Sequence, residues 1–318
     1  MSTYVIQRLL QAIPVLFLIS AIVFTVTYFI PGDPAMIVLG QGASEEALQA
    51  VRERLRLDQP LPVRYGAWLG DLFRGELGNS ILSRQPVTTL IGRALPITLY
   101  LTLFSLLIAV AVSIPLGTIA ALKRNTWIDV VATTWSFLGV SIPGFWLAMM
   151  LLYIFGVRLQ WVPLQGYIDP RDDLGDSIKA MILPAITLGV FLSGPLTRYL
   201  RSSILQTMSL EHVNVARAKG LSGPQVLSRH ILRNSFIPFI TVLGIQLGYL
   251  IGGAVVVENV FTLPGIGALA VSAIGNRDYP LIQGITLVIA IGFVLINLVV
   301  DLLYAVLDPR IRVGRGAG

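Results

Sequence analysis

The sequence predicts an all-α membrane protein with several spans, and three observations carry that prediction. Hydrophobic residues make up 55% of the chain and charged residues only 13%, about half the share typical of soluble domains. Mean hydropathy is +0.78. Six apolar stretches are each long enough to cross a hydrocarbon core of about 30 Å, which needs about 20 helical residues. They are Leu9–Ile30, Leu95–Leu122, Val130–Val157, Ile178–Leu196, Phe236–Val257 and Leu281–Val306. Helices are the expected spanning elements because each satisfies its own backbone polar groups in lipid.

The first stretch has an apolar run about twice the length of a signal-peptide core, and no small-x-small cleavage site follows it. It is expected to be an anchor. Pro115, Pro143 and Pro184 lie inside the second, third and fourth stretches and predict local kinks.

Basic residues orient the spans. With the N-terminus inside, the inner segments hold twelve Lys and Arg and the two short outer loops hold four (Arg158, Arg171, Lys179, Arg277). That asymmetry places both termini in the cytoplasm. It also accounts for the net charge of +6 without nucleic-acid binding. The chain has no cysteine and two histidines, His212 and His230. Disulfides and thiolate metal sites are therefore excluded, and a multi-histidine metal or catalytic centre is not expected.

Between the first two spans runs a segment that opens on a Pro31–Pro34 turn. Ser44 followed by Glu45 and Glu46 suits a helix start. Leu48, Val51, Leu55 and Leu57 then follow at roughly helical spacing. Tyr65, Trp68, Leu69, Leu72 and Phe73 form a second apolar stripe, expected to cap the bundle. The loop Glu258–Pro280 mixes apolar side chains with Pro264, Gly265 and Gly267 and reads as a segment dipping back toward the membrane.

The longest polar interruption in the second half, Glu211–Pro238, is the candidate functional element. Val213, Ala216 and Gly220 fall on one helix face of small side chains, which would admit a partner close to the backbone. Gly220 is placed to end that helix in the left-handed conformation, and Pro224 to start the next. Arg217 and Lys219 project from other faces, with Leu221 and Ser222 completing the turn. Two readings fit this spacing equally: a docking element, or an amphipathic helix on an anionic leaflet.

This loop resembles the EAA loop of ABC-importer permeases, whose pattern is Glu-Ala-Ala, three residues, Gly, nine residues, Ile-x-Leu-Pro. Ala216, Gly220 and Leu232 match it, whereas Asn214, Val215, His230 and Arg233 stand at positions the pattern gives to Glu, Ala, Ile and Pro. The run ARAKGLS followed by RHILRNSFIP is closer to the peptide and nickel branch. So are FIPGDPA, RYGAWLGDLFRGELGNS, PLGTIAALKRN, SIPGFWLAMML, GGAVVVENVFTLPGIG, RDYPLIQG and NLVVDLLYAVLDPRIR. Across nearly its whole length the chain is similar to the B-type permease subunit of dipeptide and oligopeptide importers.

The resemblance implies the type I ABC importer permease fold with six transmembrane helices. Residues 1–94 would hold the first helix and an extracytoplasmic helical segment, and 95–318 a five-helix core with its coupling loop at about 198–235. It implies a bacterial inner-membrane location and a second, C-type permease subunit. Two P-loop ATPases carrying ATP and Mg, and an extracytoplasmic peptide-binding protein, complete the implied assembly. Val213, Ala216, Arg217, Lys219, Gly220, Leu221 and Ser222 would couple to the ATPases. Nickel, opines and glutathione are alternative cargoes within the same class.

The residues agree in one negative: no G-x-x-x-x-G-K-[ST] phosphate loop is present, so this chain is expected to hold no cofactor and catalyse no reaction. LSGPQ at Leu221–Gln225 echoes an ATPase signature only superficially. An ion-coupled secondary transporter is the alternative class; the absent internal repeat and scarce intramembrane charges weigh against it.

Four further residues are pathway candidates. Gln246 is otherwise a helix–helix hydrogen-bonding residue, and Glu258 otherwise a solvated interfacial group. Asn297 and Asp301 lie one turn apart, with Asp301 placed to pair with Arg310 or Arg312, to snorkel, or to serve the pathway. Phe145, Trp146 and Trp161 read as core and interfacial aromatics.

Overall fold

The structure, a computed structural model, describes residues 2–29, 34–39, 42–54 and 56–307. Among them helices follow one another in the order α1 Ser2–Phe29, α2 Pro34–Leu39, α3 Glu45–Arg54, α4 Leu61–Phe73 and α5 Val87–Leu122. Next come α6 Trp127–Ser141, α7 Gly144–Leu151, α8 Leu174–Met208, α9 Glu211–Ala218, α10 Gly223–Val226, α11 Arg233–Val260, α12 Ile266–Gly275 and α13 Tyr279–Leu307. Two π-helical stretches, Leu152–Arg158 and Leu227–Leu232, continue α7 and join α10 to α11. Part of the expected turn, Pro31 to Asp33, falls outside the described residues.

Among the described residues, five helices are long and apolar enough to cross a membrane, and six spans result only if a bent pair counts as one. That pair is α6 with α7 and its π-helical continuation, and the bend is 102°. The expected span Val130–Val157 is thus broken rather than kinked. Pro143 lacks an N–H and pushes the residue before it out of the helical region. Ile142 and Pro143 are accordingly both extended, with ψ of 123° and 129°. Two consecutive extended residues redirect the chain. By contrast, α5 runs unbroken through Pro115 and α8 through Pro184.

The chain forms two packed units. The first comprises Met1–Val5, Thr98–Leu263 and Leu295–Gly318. Its spine is α8, 72% of whose apolar window is buried, against 22 to 33% for the windows of α5, α11 and α13. Helices α6, α7 and α11 pack on α8. Where α6 crosses it the backbones nearly touch: a Cβ added at Gly194 would lie 3.0 Å from the Ser136 carbonyl and 3.2 Å from the Gly139 Cα. Two buried hydroxyls along the spine are turned back on their own helix, Thr187 to the Leu183 carbonyl (2.9 Å) and Thr197 to that of Ser193 (2.7 Å), which keeps them satisfied in apolar surroundings. One charge pair crosses from α6 to α8: Arg201 donates from Nε and Nη2 to the two carboxylate oxygens of Asp129, at 2.5 and 2.7 Å.

The second unit comprises Ile6–Ile97 and Pro264–Val294. Val87, Ile91 and Ala94 of α5, Ile266 and Ala273 of α12, and Leu281 and Ile285 of α13 make its core. The apolar loop read as dipping back therefore contains a short helix that buries Ile266 and Ala273 in protein and leaves Val271 and Ile274 exposed. Asp278, 2% exposed, accepts from Ser80 Oγ (2.5 Å), from the Ile81 backbone N–H (3.2 Å) and from the Leu281 N–H (3.4 Å). It thereby caps α13 and fastens the 78–87 turn. The α4 stripe packs on α1, with Tyr65 and Trp68 against Phe24 at ring-centroid distances of 5.5 and 5.6 Å. Tyr65 Oη lies 2.8 Å from Ser20 Oγ. Phe73 is left 87% exposed. Ser44 accepts from the Ala47 N–H at 3.3 Å, opening α3 as expected.

The crossing makes a signed prediction. At Gly92, where an added Cβ meets nothing within 4 Å, Gly92→Ala should stabilise by about 0.5–1 kcal/mol through helix propensity. Gly194→Ala should instead destabilise by about 1–3 kcal/mol through overpacking. Thermal unfolding of the detergent-solubilised protein reads both signs.

Candidate functional site

The candidate element lies within the first unit and is assembled by local rules. Helix α8 ends at Ser209, whose hydroxyl donates to the Gln206 carbonyl (2.7 Å). Leu210 is extended, and α9 starts with Glu211 in its first turn, favourable to the helix dipole. At its far end Gly220 takes φ +80°. The Gly220 N–H donates to the Arg217 carbonyl (2.9 Å) and the Leu221 N–H to that of Ala216 (3.3 Å), the left-handed stop that glycine best supplies. Ser222 then caps α10 through a reciprocal box in which Gln225 Oε1 accepts from the Ser222 N–H at 3.1 Å. Pro224 occupies the first turn of α10, where its missing N–H costs nothing.

Packing assigns the faces of α9, and corrects the face expected to receive a partner. Val213 is 0% and Ala216 4% exposed; both turn inward, where α9 packs on α10 and the Leu227–Leu232 stretch, whose Val226 and Ile231 neighbours are also buried. The small-residue face is the anchor of the helix. Its solvent face carries His212, Asn214, Val215, Ala218 and Lys219, with Arg217 and Gly220 also exposed. Val215, 46% exposed, is the large apolar side chain on it. Small residues permit close approach, but only neighbouring elements decide whose backbone approaches.

Two polar links fasten the ends. Asn234 Nδ2 donates to the His230 carbonyl (2.9 Å) and lies 3.2 Å from His212 Nε2. The fully buried Ser235 hydroxyl lies 2.9 Å from the Ile231 carbonyl and 3.1 Å from Thr207 Oγ1, and Ser203 Oγ donates to the Ser235 carbonyl (3.2 Å). Beside α9 a cavity of about 360 Å³ is lined by Leu122, Met208, Arg217, Pro224, Leu227 and Ile231 among others.

The pathway candidates are not gathered into one site. Glu258 is 0% exposed, so the expected solvated interfacial position is wrong. It accepts from Thr98 Oγ1 at 2.6 Å, inside the first unit. Gln246 is 9% exposed, and among the described residues its side chain makes no helix–helix hydrogen bond. Asn297 is exposed and Asp301 half-buried on α13; Arg310 and Arg312, the expected partners of Asp301, fall outside the described residues. Phe145 and Trp146 are 50% and 47% exposed, not core residues. Trp161, 66% exposed, rests on Phe155 at 5.5 Å. Sequence inspection did not single out Thr98, Asp129, Arg201 or Asp278. A carboxylate among apolar residues is the available signal for such contacts, since it must find a donor when buried.

Long apolar helices, a buried spine and a short helix between two of them in sequence make up this fold. A methionine ABC transporter, MetNI, in an inward-facing conformation shares it, with a TM-score of 0.55 at 16% identity, over 69% of this chain and 96% of that one. Residues 113–313 match the family described as binding-protein-dependent transport system inner membrane component, and residues 1–102 match its N-terminal companion. The chain belongs to this family and is a multi-pass inner-membrane permease subunit of an ABC importer. Relatives of Brucella abortus (strain 2308), named "Putative peptide transport system permease protein", and of Escherichia coli O6:H1, named glutathione transport system permease protein GsiC, are each 42% identical. Each match covers 98% of this chain and 99% of the relative.

The Glu258 contact yields a test. Thr98→Val removes a hydroxyl donor from a buried carboxyl and should destabilise by about 1–3 kcal/mol, whereas Thr98→Ser should stay near wild type. Melting temperatures in detergent compare the two.

Proposed function

We propose that this chain forms half of the translocation pathway of a bacterial importer for di- and oligopeptides and passes the motion of partner ATPases to its spans through residues 198–235. The observation that carries the coupling role is the division of α9 into two faces. Val213 and Ala216 bind the helix to the rest of its unit, so a push on the outer face is delivered to α10, α11 and α8 instead of being lost in a loose loop. Gly220 and Leu221 form the stop, and Ser222 caps the helix that leads into α11. Lys219 lies on the contact face and Arg217 beside it. The basic asymmetry of the loops supports both termini, and this element, on the cytoplasmic side.

The partners on this reading are a second, homologous permease chain, two P-loop ATPases and an extracytoplasmic binding protein. ATP and Mg are held by the ATPases, and hydrolysis belongs to them; this chain is non-catalytic. Transport follows as alternating access: the binding protein and ATP favour states of the same equilibrium, so their binding is coupled. The peptide class is supported by the relatives' names. The glutathione permeases, equally close in identity, favour glutathione as the second reading, itself a small peptide.

The α9 faces provide the test. Val215→Asp places a charge on the outer face and should leave folding intact while abolishing recovery of ATPase subunits with the affinity-purified complex. Val213→Asp buries that charge and should abolish folding itself. Gly220→Val should reduce ATP-dependent peptide uptake at normal expression, because a β-branched residue resists φ +80°, while Gly220→Asn is tolerated better. Recovery of the wild-type chain from gently solubilised membranes without any ATPase, or normal uptake by Val215→Asp, would overturn the coupling assignment.

A further inference from the structure

Helix α11 leaves one continuous stripe exposed: Thr241, Ile245, Tyr249, Gly252 and Val256, spaced four, four, three and four residues apart, as one helix face requires. Ile245 is 56%, Tyr249 66% and Val256 44% exposed. The chemistry of this stripe differs from that of a face turned to lipid. Along α1, by comparison, the exposed positions between Ile13 and Val26 carry only apolar side chains.

Tyr249 lies within one turn of the middle of α11. Tyrosines of spanning helices are favoured at the membrane–water interfaces, where the hydroxyl is hydrated; this one is exposed near the middle of a long apolar helix. Among the described residues the Tyr249 hydroxyl has no hydrogen-bond partner. An unpaired hydroxyl there is costly in hydrocarbon and unproblematic in water. Beside it Gly252 leaves open space: an added Cβ there would meet nothing within 4 Å. No charged residue belongs to the stripe.

We infer that this stripe lines the aqueous pathway, and that Tyr249 contacts the backbone of the passing peptide. The inference rests on the importer reading above. A phenol both donates and accepts, which matches peptide N–H and C=O groups whatever the side chains. The absence of charge fits recognition of backbone and not of termini. Gly252 provides clearance for bulky side chains.

The chain contains no cysteine, so single cysteines report without background. The experiment places Tyr249→Cys, Gly252→Cys and, as a dry exposed control, Ile22→Cys in the full complex in membrane vesicles. A charged, membrane-impermeant methanethiosulfonate reagent then measures labelling rates, since reaction requires a hydrated thiolate. Tyr249→Cys and Gly252→Cys should label at least about tenfold faster than Ile22→Cys, and peptide under turnover should slow them. Rates equal to the control would overturn the proposal, as would ready disulfide formation between Tyr249→Cys and a cysteine scanned along the second permease, which would make the stripe a subunit interface.

A transport measurement tests the contact itself. Tyr249→Ala should raise the KM for peptide uptake about tenfold, the equivalent of roughly one hydrogen-bonded contact, with ATPase recovery unchanged; an unaltered KM would overturn the contact role. Labelling reads hydration whether or not an ATPase is present. Fast labelling in a chain that recovers no ATPase would therefore count against the importer reading and leave the aqueous stripe standing.

Discussion

The first unit depends on how closely other helices approach α8. Lipid tails are as apolar as leucine, so spanning helices gain little by merely hiding hydrophobic surface from one another. Their association rests on van der Waals contact, and contact improves as backbones draw together. At the Gly139 and Gly194 crossing no side chain stands between the helices. On another face of α8, Leu192, Leu196 and Leu200 are at most 1% exposed, with Leu200 against Gly117 of α5. The spine's hydroxyls could have disrupted such packing; Thr187 and Thr197 fold back onto their own helix, whereas Ser193 and Ser203 are paired with Trp135 of α6 and Ser235 of α11.

Carboxylates mark the places where this arrangement is held in register. Asp129 has a two-pronged guanidinium from Arg201, Glu258 has the hydroxyl of Thr98, and Asp278 has Ser80 with two backbone N–H groups. In each case at least one donor comes from a distant part of the sequence, so the contact closes a long loop within its own unit. Apolar packing tolerates small slippage along a helix. A buried carboxylate does not, because loss of its donor leaves a charge or a polar group unpaired. Shape and charge thus divide the work: the one brings the helices together, the other sets their registration.

The same division explains how a short helix is held firmly. Eight residues of α9 would be marginal in isolation. Val213 and Ala216 give the helix a buried face, Gly220 ends it abruptly, and the Ser222–Gln225 box starts the next helix at once. The Asn234–His212 contact and the Ser203–Ser235–Thr207 cluster tie the surrounding helix ends together. What remains exposed is a compact surface on a rigid base.

The sequence alone determined the membrane-spanning class, the positions of the long apolar helices, the helix stop at Gly220 and the cap at Ser44. These are local properties, set by composition, by spacing along one helix, or by backbone preferences of single residues. Motif resemblance along the chain was likewise legible, because it needs no third dimension. Tertiary structure decided the rest. Pro143 was readable as a disturbance, yet the 102° turn arises because Ile142 and Pro143 both become extended and the following segment packs against α8 and α11. Val213 and Ala216 were readable as one face, but whether that face receives a partner or the chain's own α10 depends on where α10 lies. Glu258 looked like a solvated end residue until the fold brought Thr98 to it, 160 positions away in sequence. Periodicity records which side chains share a face; only the folded chain establishes what that face meets, since burial and pairing are properties of residues distant in sequence and adjacent in space.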